Sequence, residues 1–70
     1  MTTRTYTAVV HKEEDIYVAG CPETGTVSQG YSVDEAIDNL KEATELYLEE
    51  FPAPQAQKPI MTSFEVAVNV

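Results

Sequence analysis

The stretch that decides the fold is Ser32–Glu50, with the sequence SVDEAIDNLKEATELYLEE. Ser32 and Glu35 match a capping box, in which the serine hydroxyl accepts a hydrogen bond from the Glu35 amide and the Glu35 side chain reaches back. Apolar side chains then recur with the spacing of an amphipathic helix. The apolar stripe consists of Val33, Ile37, Leu40 and Tyr47. The sequence therefore predicts a helix that runs to about Glu50 and ends before Pro52.

Three short segments upstream of this helix are rich in β-branched residues and tyrosine. Thr5–Lys12 and Ile16–Cys21 predict a β-hairpin around a charged tip, Glu13-Glu14-Asp15. The segment Pro22-Glu23-Thr24-Gly25 has the residues of a turn, and Thr26–Tyr31 predicts a short third strand. The glycine near the end of that strand, at position 30, indicates either a bulge or a close backbone approach.

The part of the chain after the helix predicts a connector and a last strand. Phe51–Pro59 contains three of the four prolines, and in Met61–Val70 apolar residues alternate with polar or small ones. The apolar members are Phe64, Val66, Val68 and Val70. The order is β-β-β-α-β, and the helix is a crossover that can place the fourth strand parallel to a neighbour. We predict an α+β fold with a four-stranded mixed sheet and one helix on one face.

The length and the apolar content bound the domain organisation. The chain has 70 residues, of which 43% are hydrophobic, so we expect a single domain spanning residues 1–70. A core of this size is barely sufficient for a stable monomer. One sheet face would also stay uncovered and half apolar. We therefore expect a homo-oligomer, either a dimer or a larger assembly.

The charge balance restricts the class of partner. The formal net charge is −8, and residues 13–50 alone carry eleven acids against Lys41. Nucleic-acid affinity comes mainly from Lys and Arg that neutralise phosphates, so we expect no direct nucleic-acid binding and no attachment to an anionic membrane. An acidic chain favours a basic protein partner instead.

Few residues have the chemistry of a catalytic or metal site. Cys21 is the only cysteine, which excludes an internal disulfide and a CxxC zinc site. A nucleophilic pair with His11 would need an activated thiolate beside the imidazole, and we favour a surface histidine and a buried cysteine. We expect no cofactor and no enzyme activity. The absence of a signal peptide and of a long apolar run predicts a cytoplasmic location.

Two acidic groups and two tyrosines are the candidate partner-binding residues. The first group is the hairpin tip, Glu13, Glu14 and Asp15, which could alternatively be a solvated turn or a weak metal site. The second group lies off the apolar stripe of the helix and could be only its solvated face. Its members are Asp34, Asp38, Glu42, Glu45 and Glu49. Tyr17 and Tyr31 suit an interface or ordinary sheet packing equally well.

An ordered set of segments closely resembles the HicB-like antitoxin family over roughly residues 5–69. The segments are Asp15–Glu23, Val27–Gly30, Val33–Ala36, Leu40–Ala43, Leu46–Glu50 and Thr62–Val66. The resemblance implies a partial RNase H-like fold. It also implies an antitoxin of a type II toxin–antitoxin pair, whose partner is a small basic HicA-like ribonuclease that cleaves mRNA.

Three departures from the family pattern shape the functional hypothesis. The sequence stops at Val70, where many members continue into a DNA-binding domain, and this departure leaves repression of its own operon an open question. Asp15-Ile16 replaces a common Asp-Gly hairpin, and Pro22–Gly25 is shorter than the usual loop.

Thr5–Lys12 has no Asp or Glu, whereas an active RNase H-like site needs an acid from its first strand for paired metal ions.

The sequence leads to two main hypotheses. The first is a non-enzymatic, antitoxin-like protein that binds and masks a basic RNA-cleaving toxin. The alternative is a stand-alone oligomeric HicB-like module with an unknown partner and no toxin. An enzyme or small-molecule binder is a third, weaker hypothesis, which a deep pocket with converging polar groups would favour.

Overall fold

The computed structural model describes residues 3–52 and 59–69, and its regular elements form one α+β unit. Three strands, β1 (Val9–Glu13), β2 (Ile16–Gly20) and β3 (Val27–Gly30), form an antiparallel sheet in the order β1-β2-β3. One helix, α1 (Val33–Glu50), follows them and packs over β3 and β2. This order confirms the three predicted strands and the predicted helix.

The first strand begins later than the sequence predicts. Strand β1 starts at Val9, which pairs with Gly20, whereas the predicted strand starts at Thr5. Continuing the same register would place Thr7 opposite Pro22, and proline has no N–H to donate. The ladder therefore stops, and residues 3–8 are not part of the sheet.

The hairpin tip is tighter than the predicted three-residue tip. Glu13 belongs to β1 and pairs with Ile16, so only Glu14 and Asp15 form the loop. Glu14 has a φ of 53°, in the left-handed region that the favoured two-residue hairpin turns require. The chain makes this turn without the Asp-Gly pair that would adopt it most easily.

Helix α1 begins with the predicted cap, with one shift in register. The amide of Glu35 donates to Ser32 Oγ at 3.1 Å, as in a capping box. The Glu35 carboxylate accepts from the amide of Tyr31 at 2.7 Å, one residue earlier than the capping-box pattern places it. At the other end, the Phe51 amide donates to the Tyr47 carbonyl at 2.8 Å, and Pro52 follows.

Replacing Ser32 with alanine is expected to lower the free energy of unfolding by about 1 kcal/mol, because the Glu35 amide loses its acceptor. Urea melts of the wild type and the variant measure this difference. Ser63→Ala is the matched control, since Ser63 is exposed and lies outside the helix. Equal effects of the two substitutions would show that the cap does not stabilise α1.

The core between helix and sheet is built from small side chains around one large one. The buried apolar residues are Ala19, Cys21, Ala36 and Leu40. Tyr6, Val10 and Tyr17 pack against them from the edge. The prediction that Leu40 belongs to the buried face of the helix is therefore confirmed.

The other members of the predicted stripe are not buried. Val33, Ile37 and Tyr47 are each more than a third exposed, while Ala36 and Thr44 face the sheet. Small residues at the contact allow the helix to approach closely, which turns the larger side chains to its flanks. The apolar stripe is thus wider than the part of the helix surface that the three-stranded sheet covers.

The close approach is centred on Gly30. A Cβ at this position would lie 2.6 Å from the backbone nitrogen of Ala36 and 2.9 Å from the carbonyl carbon of Glu35. Gly30 pairs regularly with Tyr17. Of the two alternatives that the sequence left open, the structure therefore shows a close backbone approach.

The predicted fourth strand is not formed in the part of the chain that the structure describes. Residues 59–69 have no regular secondary structure. Phe64, Val66 and Val68 are 86%, 66% and 72% exposed. The alternating pattern indicates which side chains this segment would bury if it paired with a strand, but the segment is not part of the three-stranded sheet. The observed sheet is three-stranded and antiparallel, and residues 53–58 of the predicted connector lie outside the described residues.

Candidate interaction surfaces

The acidic helix face forms a continuous surface. All of its five carboxylates, from Asp34 to Glu49, are exposed. At 100° per residue they fall within about 80° of arc, opposite the side that contacts the sheet. Among the described residues, no ion pair neutralises any of them. We call this surface the acidic stripe; it consists of Asp34, Asp38, Glu42, Glu45 and Glu49.

The structure separates most of the acidic stripe from the hairpin tip. Tyr17, at the start of β2, pairs with Gly30, at the end of β3. The tip therefore lies at the same end of the molecule as the first turn of α1, with Asp34. Glu49 is about 23 Å further along the helix. The predicted binding residues thus form two acidic surfaces rather than one compact site.

The tip residues also divide between the two faces of the sheet. Glu13 Oε2 is 2.9 Å from His11 Nε2 on the face away from the helix. Tyr17 lies on the helix side, where Lys12 Nζ is 5.7 Å from its ring centroid. Glu14 and Asp15 are exposed. Tyr17 therefore packs beside the core instead of extending the acidic tip.

His11 and Cys21 do not form a nucleophilic pair. The His11 ring contacts Glu13, while Cys21 is buried in the core beneath the helix. The Cys21 thiol donates to Glu23 Oε1 at 3.4 Å. The structure confirms a surface histidine and a buried cysteine. Residues 3–52 and 59–69 contain no cluster of three or more His, Cys, Asp or Glu side chains suited to a metal ion.

Glu23, for which the sequence predicts only a position in a turn, holds two segments of the chain together. Its carboxylate accepts from the Thr7 amide at 3.1 Å and from the Thr7 hydroxyl at 3.0 Å. These bonds hold the segment before β1 against the turn between β2 and β3. The signal in the sequence is Pro22, because a proline has no N–H for the Thr7 carbonyl and the ladder cannot continue there. Once the ladder ends, the Thr7 amide needs another acceptor, which the Glu23 carboxylate supplies.

The protonation of Glu23 is coupled to this anchor. Partial burial of Glu23 raises the pKa of its carboxyl, but hydrogen bonds from the Thr7 amide, the Thr7 hydroxyl and the Cys21 thiol lower it by more, so that the net pKa lies below its ordinary value of 4.5. A carboxyl with a lowered pKa in the folded state stabilises the fold above its ordinary pKa. That stabilisation is lost as the pH falls through the folded-state pKa.

Replacing Glu23 with glutamine is expected to lower the free energy of unfolding by about 1 kcal/mol at pH 7, because a charge-assisted acceptor is lost. The difference from the wild type should shrink as the pH falls below about 4.5, where the wild-type carboxyl also becomes protonated. Urea melts across this pH range measure the difference. Glu45→Gln, on the exposed helix surface, is the control, and a pH-independent difference for Glu23→Gln would contradict the coupling.

The sheet face away from the helix is apolar and open. Val9, Val18 and Val27 line a shallow depression of about 420 Å³ around Gly20. Val27 is 64% exposed. The sequence predicts an uncovered, partly apolar face but does not identify these residues, although each occupies an outward position in its strand. The depression is too open for a small-molecule pocket and suits a protein contact better.

The outer edge of β3 is a second, more polar surface. Gln29, Tyr31, Glu35 and Asn39 line a depression of about 390 Å³. Asn39 Nδ2 donates to the Gln29 carbonyl at 2.8 Å. Tyr31 is strongly exposed, which is compatible with the interface reading of this tyrosine. Within the described ranges, no helix has the length and hydropathy needed to cross a membrane.

Comparisons with known proteins find two relatives of the same kind. The chain is 49% identical over 49 residues to a "UPF0150 protein" of Helicobacter pylori, an alignment that covers 69% of this chain and 68% of the relative. It is 45% identical over 56 residues to "UPF0150 protein ssr1765" of Synechocystis sp., covering 77% and 71%. No protein-family model and no solved structure matches.

Proposed function

The chain belongs to the UPF0150 family, and from that premise we propose that it is a HicB-like, antitoxin-like protein that binds and masks a small basic mRNA-cleaving ribonuclease. In this proposal the protein itself has no catalytic role. It acts in the cytoplasm by covering the surface with which the ribonuclease binds RNA. The HicB-like character rests on the sequence resemblance, and the antitoxin role rests on the surface chemistry below.

The observation that carries the proposal is the acidic stripe. A ribonuclease that grips RNA must present Lys and Arg side chains to the phosphates. The acidic stripe is a row of carboxylates that has no ion-pair partner among residues 3–52 and 59–69, and it is complementary in charge to such a surface. Complementary charge speeds the encounter and selects the orientation.

The stripe also borders an apolar anchor. Leu46 is 58% exposed and lies one turn from Glu42 and one turn from Glu49 on the same side of the helix. A large apolar side chain ringed by charged groups is the composition expected of an interface centre with a polar rim. Charge would then guide association, and burial of Leu46 would slow dissociation.

We expect the gene beside this one to encode a small basic protein. The test uses that protein, purified separately, in binding and RNA-cleavage assays. We expect binding at micromolar concentration and protection of the RNA. Reversing Asp38, Glu42 and Glu45 to lysine should lower the association rate at least tenfold at low salt. Reversing Glu13, Glu14 and Asp15 instead makes the same change in net charge at the hairpin tip and is the matched control.

The outcomes separate the candidate surfaces. An equal decrease in the association rate of both triple variants would show that only net charge matters. A decrease in the tip variant alone would place the interface at the hairpin. Failure of the wild type to bind the neighbouring protein or to protect RNA would contradict the antitoxin role.

The second candidate function is a stand-alone oligomeric module without a toxin. The observation that favours it is the amount of exposed apolar surface, namely the open sheet face and the side chains of residues 60–68. In either function, the proposed complete fold has residues 61–70 as a fourth strand of a partial RNase H-like sheet. Sedimentation equilibrium of the isolated protein tests the second candidate, because a stable dilute monomer would contradict it.

A further inference from the structure

We propose that residues 62–69 of one copy form a strand along the open edge of β1 in a second copy, so that two copies exchange their C-terminal segments. The proposal goes beyond toxin binding and does not depend on it. It identifies the partner surface, the segment that occupies it and the groups that form the hydrogen bonds.

The C-terminal segment has the character of a strand without a partner. Phe64, Val66 and Val68 alternate with Glu65, Ala67 and Asn69, and all six are exposed. Burial of the apolar face of such a segment would stabilise the protein, and this stabilisation is absent while the face is exposed to water. The Cα radius of gyration is 14.4 Å, against about 11 Å for a compact chain of this length.

The register of the sheet identifies the free backbone groups of β1. The Cys21 amide donates to the Thr26 carbonyl at 2.9 Å, so Cys21 and every second residue before it direct their backbone groups towards β3. The residues between them, such as Val18, direct theirs towards β1. The same alternation in β1 leaves Val10 and Lys12 with amides and carbonyls that point away from the sheet.

The opposite edge of the sheet is less available. Gln29 lies opposite Val18, and by the same alternation its carbonyl points outwards from β3. Asn39 of the helix already donates to that carbonyl. Within residues 3–52 and 59–69, no hydrogen bond links the outer backbone groups of β1 to another element. The edge of β1 is therefore the favoured position for an added strand.

The apolar sides of the edge and the segment also match. Tyr6 and Val10 flank the core on the helix side of β1. Asn39 marks the helix flank that faces β3, so Ile37, about 160° further around the helix, lies on the flank towards β1. Phe64, Val66 and Val68 of an added strand would cover this half-exposed apolar surface.

The connector favours exchange over folding back. Phe51–Pro59 contains three prolines, and proline-rich linkers favour an extended, semi-rigid backbone. Helix α1 runs away from the hairpin tip and β1 runs towards it, so to pair in parallel with its own β1 the segment must reverse direction between α1 and residue 62. Pairing with a second copy requires no such reversal. A two-fold exchange also leaves the β1 edge of each copy paired with the segment of the other copy.

The test compares two lysine substitutions one position apart in the full chain. We expect the wild type to sediment as a dimer at micromolar concentration. Val66→Lys places a charge on the apolar face of the added strand and should convert the dimer to a monomer. Ala67→Lys makes the same change in charge on the opposite face and should leave the dimer intact. Circular dichroism checks that α1 is retained in both.

Amide hydrogen exchange locates the contact. The Val10 and Lys12 amides should be protected at least tenfold in the wild type and in Ala67→Lys, and should exchange rapidly in Val66→Lys. A monomer with both amides protected would show that the segment pairs within its own chain, which overturns the exchange. A dimer with both amides unprotected would place the contact elsewhere and also overturns it.

These results are independent of the toxin assay. An exchanged dimer that fails to bind the neighbouring basic protein would support this inference and contradict the antitoxin role. A monomer that binds and protects RNA would do the reverse.

Discussion

Replacing Leu40 with alanine is expected to lower the free energy of unfolding by about 2–5 kcal/mol. Leu40 is 5% exposed and, among residues 3–52 and 59–69, is the only large side chain in the buried core. Its neighbours there are alanines and a cysteine, which cannot expand to fill the space. A domain of this size has a total stability of roughly 4–10 kcal/mol, so the variant should approach the point of unfolding at room temperature.

The measurement is a urea melt followed by circular dichroism, with Leu46→Ala as the matched control. Leu46 lies on the same helix and is 58% exposed, so the same truncation there should cost less than about 0.5 kcal/mol. The two variants have the same change in composition and nearly the same change in helix propensity. Comparable decreases in the free energy of unfolding of the two variants would show that the helix packs against the sheet on a different face.

Replacing Gly30 with alanine is expected to lower the free energy of unfolding by about 3 kcal/mol. The new Cβ would lie 2.6 Å from the backbone nitrogen of Ala36, a distance that real Cβ atoms do not tolerate. The neighbour is helix backbone, which cannot rotate away as a flexible side chain could. The first turn of α1 would have to shift from β3, and displacement of well-packed elements costs about 1–3 kcal/mol or more.

Gly20→Ala is the control for this second substitution, because Gly20 is also a strand glycine. A Cβ there would meet its nearest atoms at 3.9 Å, an ordinary contact. Alanine should be neutral or slightly stabilising at Gly20, since it reduces the freedom of the unfolded chain. If both alanine variants melt like the wild type, the helix does not approach the sheet as closely as the structure shows.

The parts of the fold that could be predicted are those set by local chemistry. The Ser32–Glu35 pair fixes the start of α1, and Pro52 lies directly after its C-cap. The turn at Pro22–Gly25 also follows from its residues, since Gly25 has a φ of 77°. Each of these features depends on a few residues close together in sequence. Local patterns therefore identified the three observed strands, the helix and both ends of that helix.

The parts that could not be predicted depend on register and on depth of packing. The late start of β1 follows from which residue stands opposite Pro22, and the choice of Ala36 over Ile37 for the buried face follows from the contact at Gly30. Neither can be read from periodicity alone. The apolar alternation at Phe64–Val68 is a correct description of strand character, but periodicity does not say which chain supplies the neighbouring strand.

The candidate surfaces show the same division. The acidic stripe follows from helical spacing, because its five members fall on the side opposite Leu40. The apolar depression around Gly20 and the anchor at Glu23 require the pairing of β1, β2 and β3 to be known. Tyr17 illustrates the remaining difficulty, since one residue of offset along a strand decides whether a side chain lies with the core or with the outer face.

The order of the elements has a consequence for the rate of folding. Each of β1, β2, β3 and α1 packs chiefly against the element next to it in sequence. Chains dominated by such local contacts have low contact order and fold in microseconds to milliseconds. The sheet and the helix should therefore form at a rate that does not depend on protein concentration. Any step in which a second chain takes part would follow as a slower phase whose rate rises with concentration.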